Sequence, residues 1–157
     1  MATVDDYTSG RIQKQAAQTL AFLKSADDSL AGSEQGKQLE AGISVFQPRR
    51  IDMADAEQRI QAARRCAVGP RACYPHNPEV EFTEAVFLDE LAEGMAKAGK
   101  AEMVSKEEAI EILAKYKKNQ LVLSTVSGKP MELCRSSQET CICWNMERRG
   151  LKCFTKN

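Results

Sequence analysis

The chain has 157 residues, of which 43% are hydrophobic and 28% charged, and these values are typical of one soluble globular domain. Its 22 basic and 22 acidic residues cancel, so no long-range field attracts nucleic acid and we expect no nucleic-acid partner. No run approaches the roughly 18 apolar residues of a membrane-spanning helix, and the N-terminus lacks the basic and apolar blocks of a signal peptide. The sequence therefore predicts a cytoplasmic protein without a membrane span.

The first part of the chain, residues 1–42, is predicted to be a helical arm followed by a loop. Four apolar residues recur on one face of a helix: Ile12, Ala16, Leu20 and Leu23. Residues 25–42 are rich in Ser, Gly, Asp and Glu, which is typical of a loop. The apolar face must be buried, either on the remaining cysteine-containing domain, residues 43–157, or on a partner subunit.

The domain begins with predicted elements that lead to the first cysteine pair. Residues 43–46 are typical of a short strand. Asp52 is the expected N-cap of a helix that runs to Cys66, and Gly69-Pro70 breaks it. Cys73 then follows in a loop.

The second half predicts two more helices, a hairpin and a last helix. Thr83 is expected to begin a helix that ends at Gly99, and Ser105 begins another with the capping box Ser-Lys-Glu-Glu. Residues 121–126 are typical of a strand, and residues 131–133 are expected to return as its antiparallel partner. A second capping box at Ser136 would start the last helix, which carries Cys141 and Cys143. The predicted fold is α+β and mostly α-helical, with about five helices and a small antiparallel β-hairpin near the C-terminus.

Two cysteine pairs share the spacing C-x6-C: Cys66 with Cys73, and Cys134 with Cys141. In a reducing compartment these residues are expected to be thiols rather than disulfides. Four thiolates suit a 4Fe–4S cluster or structural zinc. Zinc modules usually contain tight C-x2-4-C knuckles, and none occurs here, so the spacing favours the cluster.

Other candidate side chains leave alternatives open. Cys143 is either a buried apolar cysteine or a ligand. Cys153 lies beyond the last helix and is either a ligand or a cysteine without a role in the site. His76, the one histidine, is either a ligand or an exposed loop residue. The acidic residues fall on solvated helix faces, and nucleotide-binding motifs are absent, so no catalytic residue is assigned and an enzymatic role stays open.

Three strings between residues 83 and 134 resemble a segment of ferredoxin-type iron–sulfur proteins of anaerobic bacteria and archaea: EAVFLDELA at 84–92, AGKA at 98–101 and VSKEEA at 104–109. In that family, a similar pair of helices leads through a short strand to a C-terminal element dense in cysteine. The resemblance implies an anaerobic redox context and favours a cluster over zinc. The chain departs from the family because its ending is sparser in cysteine and it lacks the ferredoxin repeat.

The sequence thus predicts an iron–sulfur protein that holds one 4Fe–4S cluster through Cys66, Cys73, Cys134 and Cys141. It would transfer electrons alone, to a redox partner protein, or as a small subunit of a larger anaerobic redox enzyme. The alternative is a protein–protein interaction module with structural zinc or without metal.

Overall fold

The computed structural model describes residues 2–25, 30–71, 84–117, 119–136 and 141–155. Within these ranges the helices are α1 Val4–Thr8, α2 Arg11–Ser25, α3 Glu34–Ser44, α4 Met53–Ala62, α5 Asp89–Lys97, α6 Lys106–Ala114 and α7 Ile142–Arg148. The strands are β1 Arg49–Ile51, β2 Cys66–Pro70, β3 Glu84–Leu88, β4 Glu102–Val104, β5 Gln120–Val126 and β6 Lys129–Ser136.

The six strands form one antiparallel sheet in the order β1-β5-β6-β3-β2-β4. Residues paired across antiparallel strands project to the same face. The row Leu123, Leu133 and Val86 belongs to the face covered by α4 and α6, which we call the α4/α6 face. Side chains one residue out of step project to the opposite face.

The other five helices, α1, α2, α3, α5 and α7, lie over the opposite face of the sheet. On this face α1 is fixed by the Tyr7 hydroxyl, which donates to the Glu132 carboxyl group of β6 at 2.6 Å. The segment that follows α5 lies close to β2, because a Cβ built on Gly69 would meet the Lys100 carbonyl oxygen at 2.5 Å. The sheet is therefore enclosed between two helical layers, and its central strands are buried on both faces.

The predicted fold, mostly helical with one C-terminal hairpin, is wrong. The predicted hairpin is present, but β5 and β6 are two strands of a sheet whose members extend from Arg49 to Ser136. The predicted helix from Thr83 begins instead with strand β3, Glu84–Leu88, and becomes helical at Asp89. All four residues after Glu84 in β3 are buried, and such a continuous apolar run is typical of a strand buried on both faces.

Two shorter predictions are also wrong. The helix that begins after Asp52 ends at Ala62, and Cys66 begins strand β2 rather than ending the helix. The expected strand at residues 43–46 is the end of α3 and a following turn, so β1 begins only at Arg49.

A second, smaller apolar cluster joins α2 to the C-terminal segment. It comprises Leu23, Cys143, Met146, Leu151 and Cys153.

The expectation of no membrane-spanning helix agrees with the structure, since no helix among the described residues is long and apolar enough to cross a bilayer.

Candidate functional site

The sheet separates two of the cysteines that the sequence pattern placed together. Cys66 is in register with Val104 and Leu88, so it projects to the α4/α6 face. There its thiol donates to the Val104 carbonyl oxygen, with a sulfur–oxygen distance of 3.4 Å. Burial raises the pKa of the Cys66 thiol, which disfavours the thiolate. Cys134 is in register with Ala85 and therefore belongs to the opposite face. Cys73 and His76 lie outside the described residues.

Three cysteines converge on the opposite face of the sheet. Cys134 of β6, Cys141 at the N-cap of α7 and Cys143 in its first turn line the same cavity. Cys134 and Cys141 are outside any disulfide, whereas Cys143 is bonded to Cys153 with a Cα–Cα distance of 5.2 Å. Two of the four predicted ligands, Cys134 and Cys141, therefore line one cavity with Cys143, which is bonded to Cys153.

The disulfide corrects the expectation that every cysteine is a thiol. The two half-cystines are ten residues apart, and Gly150 at a φ of 82° lets the chain reverse between them. The Leu151 amide then donates back to the Met146 carbonyl, so Cys153 returns to the side of α7. Among the described residues, no group of three or more His, Cys, Asp or Glu side chains could hold a metal ion. Cys143 and Cys153 have no thiolate to offer while they are joined.

The cavity that these cysteines line has a volume of about 370 Å³. Its floor is the sheet face formed by Val122 and Ser124 of β5 and Glu132 and Cys134 of β6. Its walls are α2, α3 and the start of α7. Most of the lining is apolar, with Ile12, Ala16, Leu39, Ile43, Phe46, Ile142 and Met146 around it. A cavity of this size and character is typical of a small-molecule or cofactor site.

Glu132 places a carboxyl group in this apolar lining. The side chain is 7% exposed, and one of its oxygens accepts the Tyr7 hydroxyl. Burial raises the pKa of Glu132, against the Tyr7 hydrogen bond and the nearby positive charge of Arg71, which both lower it. The pKa of Tyr7 is also raised well above its usual value, chiefly by burial and then by the Glu132 charge. The pair can therefore hold a proton inside the cavity at a pH where an exposed carboxyl group has lost it.

Because the pKa of Glu132 is raised in the folded protein, we expect a pH-dependent stability that Glu132→Gln should reduce. In the unfolded chain the carboxyl group titrates near 4.5, whereas in the folded protein the pKa is higher. The stabilising contribution is complete below the unfolded pKa and is lost as pH rises through the folded pKa. Wild type should therefore lose free energy of unfolding across that window, and Glu132→Gln, whose amide oxygen still accepts from Tyr7, should lose less. Urea unfolding at a series of pH values measures the difference, and parallel curves for both proteins would contradict it.

The burial of this carboxyl group could not be predicted from the alternation of apolar and polar residues. Glu132 stands between Met131 and Leu133 in a predicted strand, and strict alternation places such a residue on a solvated face. Here that face is covered by α1, which belongs to the segment expected to be an arm. Tyr7, in the polar opening of the chain, gave no signal at all.

Comparisons with protein-family models, with curated proteins and with solved structures find no match to this chain. The resemblance of residues 83–134 to ferredoxin-type proteins stays a prediction. The cavity and its cysteines are the features of the molecule that bear on its function.

Proposed function

We propose that this chain is an iron–sulfur protein whose C-terminal cysteines hold one 4Fe–4S cluster at the cavity when they are reduced. It would transfer electrons alone or as a small subunit of a larger anaerobic redox enzyme. The observation that carries the proposal is that Cys134, Cys141 and Cys143 line one cavity, with Cys153 bonded to Cys143.

The proposal changes the ligand set expected from the C-x6-C spacing. Cys143 and Cys153 take the places of Cys66 and Cys73, because Cys66 lies on the other face of the sheet from Cys134. A dithiol reductant would supply the two electrons and two protons that convert the Cys143–Cys153 disulfide into two thiols. Four thiols would then be available from β6 and the C-terminal segment, and four thiolates are the donor set of iron–sulfur clusters. Their side chains would have to move together to hold a cluster, because no group of three or more such ligands among the described residues is placed to hold a metal ion.

The surroundings suit a redox centre. A bound cluster would supply one-electron transfer, and its potential would depend on burial and on hydrogen bonds to sulfur. Trp144 lies beside these cysteines on α7, where its indole N–H donates to the Ser136 hydroxyl at 2.8 Å and its ring meets Phe154 edge to face. These two aromatic rings fix the start of α7 against the end of β6, and so help to position Cys141.

The proposal predicts which cysteines are needed for iron. Protein reduced with dithiothreitol and reconstituted without oxygen should contain about four iron and four acid-labile sulfide per chain, with broad visible absorption. Cys134→Ala and Cys141→Ala should each lose most of this iron, because each removes one thiolate. Iron, sulfide and zinc analysis with a visible spectrum measures the outcome.

Cys66→Ala is the matched control, since it removes a thiol that is buried in the α4/α6 face. It should keep its iron, and Cys73→Ala should be measured beside it. Loss of iron in Cys66→Ala, with iron retained in Cys143→Ala and Cys153→Ala, would overturn the C-terminal ligand set. Stoichiometric zinc without iron would replace the cluster by structural zinc, and no metal would leave a protein–protein interaction module.

A further inference from the structure

The cavity contains more than its cysteines. One end of the cavity, between β6 and the start of α7, is lined by Cys134, Cys141 and Cys143. From there the lining continues over Val122 and Ser124 of β5 to helices α2 and α3. This continuation is walled mainly by apolar side chains. It has the concave, mostly apolar character of small-molecule sites, with few polar groups to orient a ligand.

Two polar side chains, Glu132 and Ser124, lie on the floor of the cavity. Glu132 is more than nine-tenths buried, and the Tyr7 hydroxyl reaches its Oε1 atom at 2.6 Å. Glu132 also lines the cavity, so its carboxyl group is placed to accept a hydrogen bond from a bound ligand. A ligand that donated to this carboxyl group would make a charge-assisted hydrogen bond in mostly apolar surroundings, and its binding would be favoured. Ser124, directly across the strand pair from Glu132, adds a hydroxyl to the same floor.

The cavity opens between α2 and α3. Gln15 and Gln18 of α2 and Gln38 and Gly42 of α3 are exposed residues that line it. A Cβ built on Gly42 would meet no atom within 4 Å, and its backbone is helical. A larger side chain at Gly42 therefore has room at the mouth without strain on the fold.

We propose that this cavity binds a small neutral molecule with an apolar body and one hydroxyl or N–H group that donates to Glu132. The apolar walls favour the apolar body of the ligand, and the Glu132 carboxyl group on the floor favours a ligand group that donates a hydrogen bond. Above the folded pKa of Glu132, a ligand carboxylate is disfavoured, because it would bring a second negative charge against the ionised Glu132 carboxyl group among mostly apolar side chains. This inference goes beyond the proposed electron transfer, and it rests on the cavity rather than on a cluster.

The test uses iron-free protein with the Cys143–Cys153 disulfide intact, so that the result does not depend on cluster assembly. The probe is N-phenyl-1-naphthylamine, a neutral apolar fluorophore with one N–H donor. We expect its fluorescence to rise on saturable binding at one site per chain. Gly42→Leu should weaken its binding by about tenfold or more, because the leucine fills the mouth. Ala41→Leu, the neighbouring exposed position on α3 that does not line the cavity, is the matched control and should change binding by less than about twofold.

Competition tests the role of Glu132. We expect 1-octanol to displace the probe at about one-tenth of the concentration that octanoate needs, and Glu132→Gln should reduce that ratio to below about three. Circular dichroism of each variant confirms that it is folded. Absence of saturable binding, equal weakening by Gly42→Leu and Ala41→Leu, or equal displacement by octanol and octanoate in wild type would each overturn the proposal.

Discussion

Leu133→Ala is expected to lower the free energy of unfolding by about 4 kcal/mol. Leu133 has no exposed surface and lies between Leu123 and Val86 in the row of the sheet that faces α4 and α6. Its loss removes the transfer free energy of a buried leucine and leaves a cavity in a layer held from both sides, which can collapse only partly. Urea unfolding followed by circular dichroism measures the change, with the disulfide kept intact in both proteins.

Met103→Ala is the matched control for this prediction. Met103 is 43% exposed on the edge strand β4, so its truncation should change the free energy of unfolding by no more than about 0.5 kcal/mol. Equal costs for the two substitutions would contradict the placement of Leu133 in the central core of the sheet.

Local signals in the sequence predicted the helices that begin at a cap. The Asp52 carboxyl accepts the Asp55 amide at the start of α4, and the Ser105 hydroxyl accepts the Glu108 amide at the start of α6. The apolar stripe of α2 is also confirmed, since its four members are all buried: Ile12, Ala16, Leu20 and Leu23. Capping and periodicity act within a few residues, and so they can be recognised without knowledge of the fold.

The sheet was missed because its inner strands carry no alternation. Residues Ala85 to Leu88 are all buried, half against α4 and α6 and half against the layer that holds α1. An apolar run of this kind is ambiguous between a buried strand and a buried helix, and the helical residues that follow from Asp89 favoured the wrong choice. Only the second helical layer, supplied by distant parts of the chain, makes a strand the favourable structure.

The cysteine spacing could not place Cys66 relative to Cys134 for a related reason, which is strand parity. Cys134 pairs with Ala85, and Ala85 pairs with Gly69. Cys66 is three residues before Gly69, and because three is odd it projects to the other face. A repeated C-x6-C spacing contains no information about this parity, because the register is set by pairing across three strands. The nearness of Cys143 to Cys134 likewise depends on where α7 docks, which a helix pattern does not specify.

Arg135→Met is expected to lower the free energy of unfolding by about 3 kcal/mol. Arg135 is 7% exposed on the α4/α6 face, where its Nε donates to the Leu113 carbonyl at 2.8 Å and its Nη1 to the Asn119 carbonyl at 2.7 Å. The Leu113 carbonyl is in the last turn of α6, where carbonyl groups lack helical partners and a positive charge is favourable. Methionine keeps most of the side-chain volume but leaves both carbonyls without these donors, so the cost is that of unmade buried hydrogen bonds. Urea unfolding measures it.

Arg64→Met separates this cost from the mere loss of a positive charge. The Arg64 guanidinium is exposed and pairs with Glu90 at 3.2 Å, so screening by water and salt makes its contribution small. We expect Arg64→Met to change the free energy of unfolding by less than about 1 kcal/mol. Arg135→Lys should be nearly as destabilising as Arg135→Met, because one ammonium group cannot reach two carbonyls in the directions that the planar guanidinium serves. If the lysine variant were as stable as wild type, charge alone would be sufficient at the end of α6, and the fork of hydrogen bonds from Arg135 would not hold β6 against that helix.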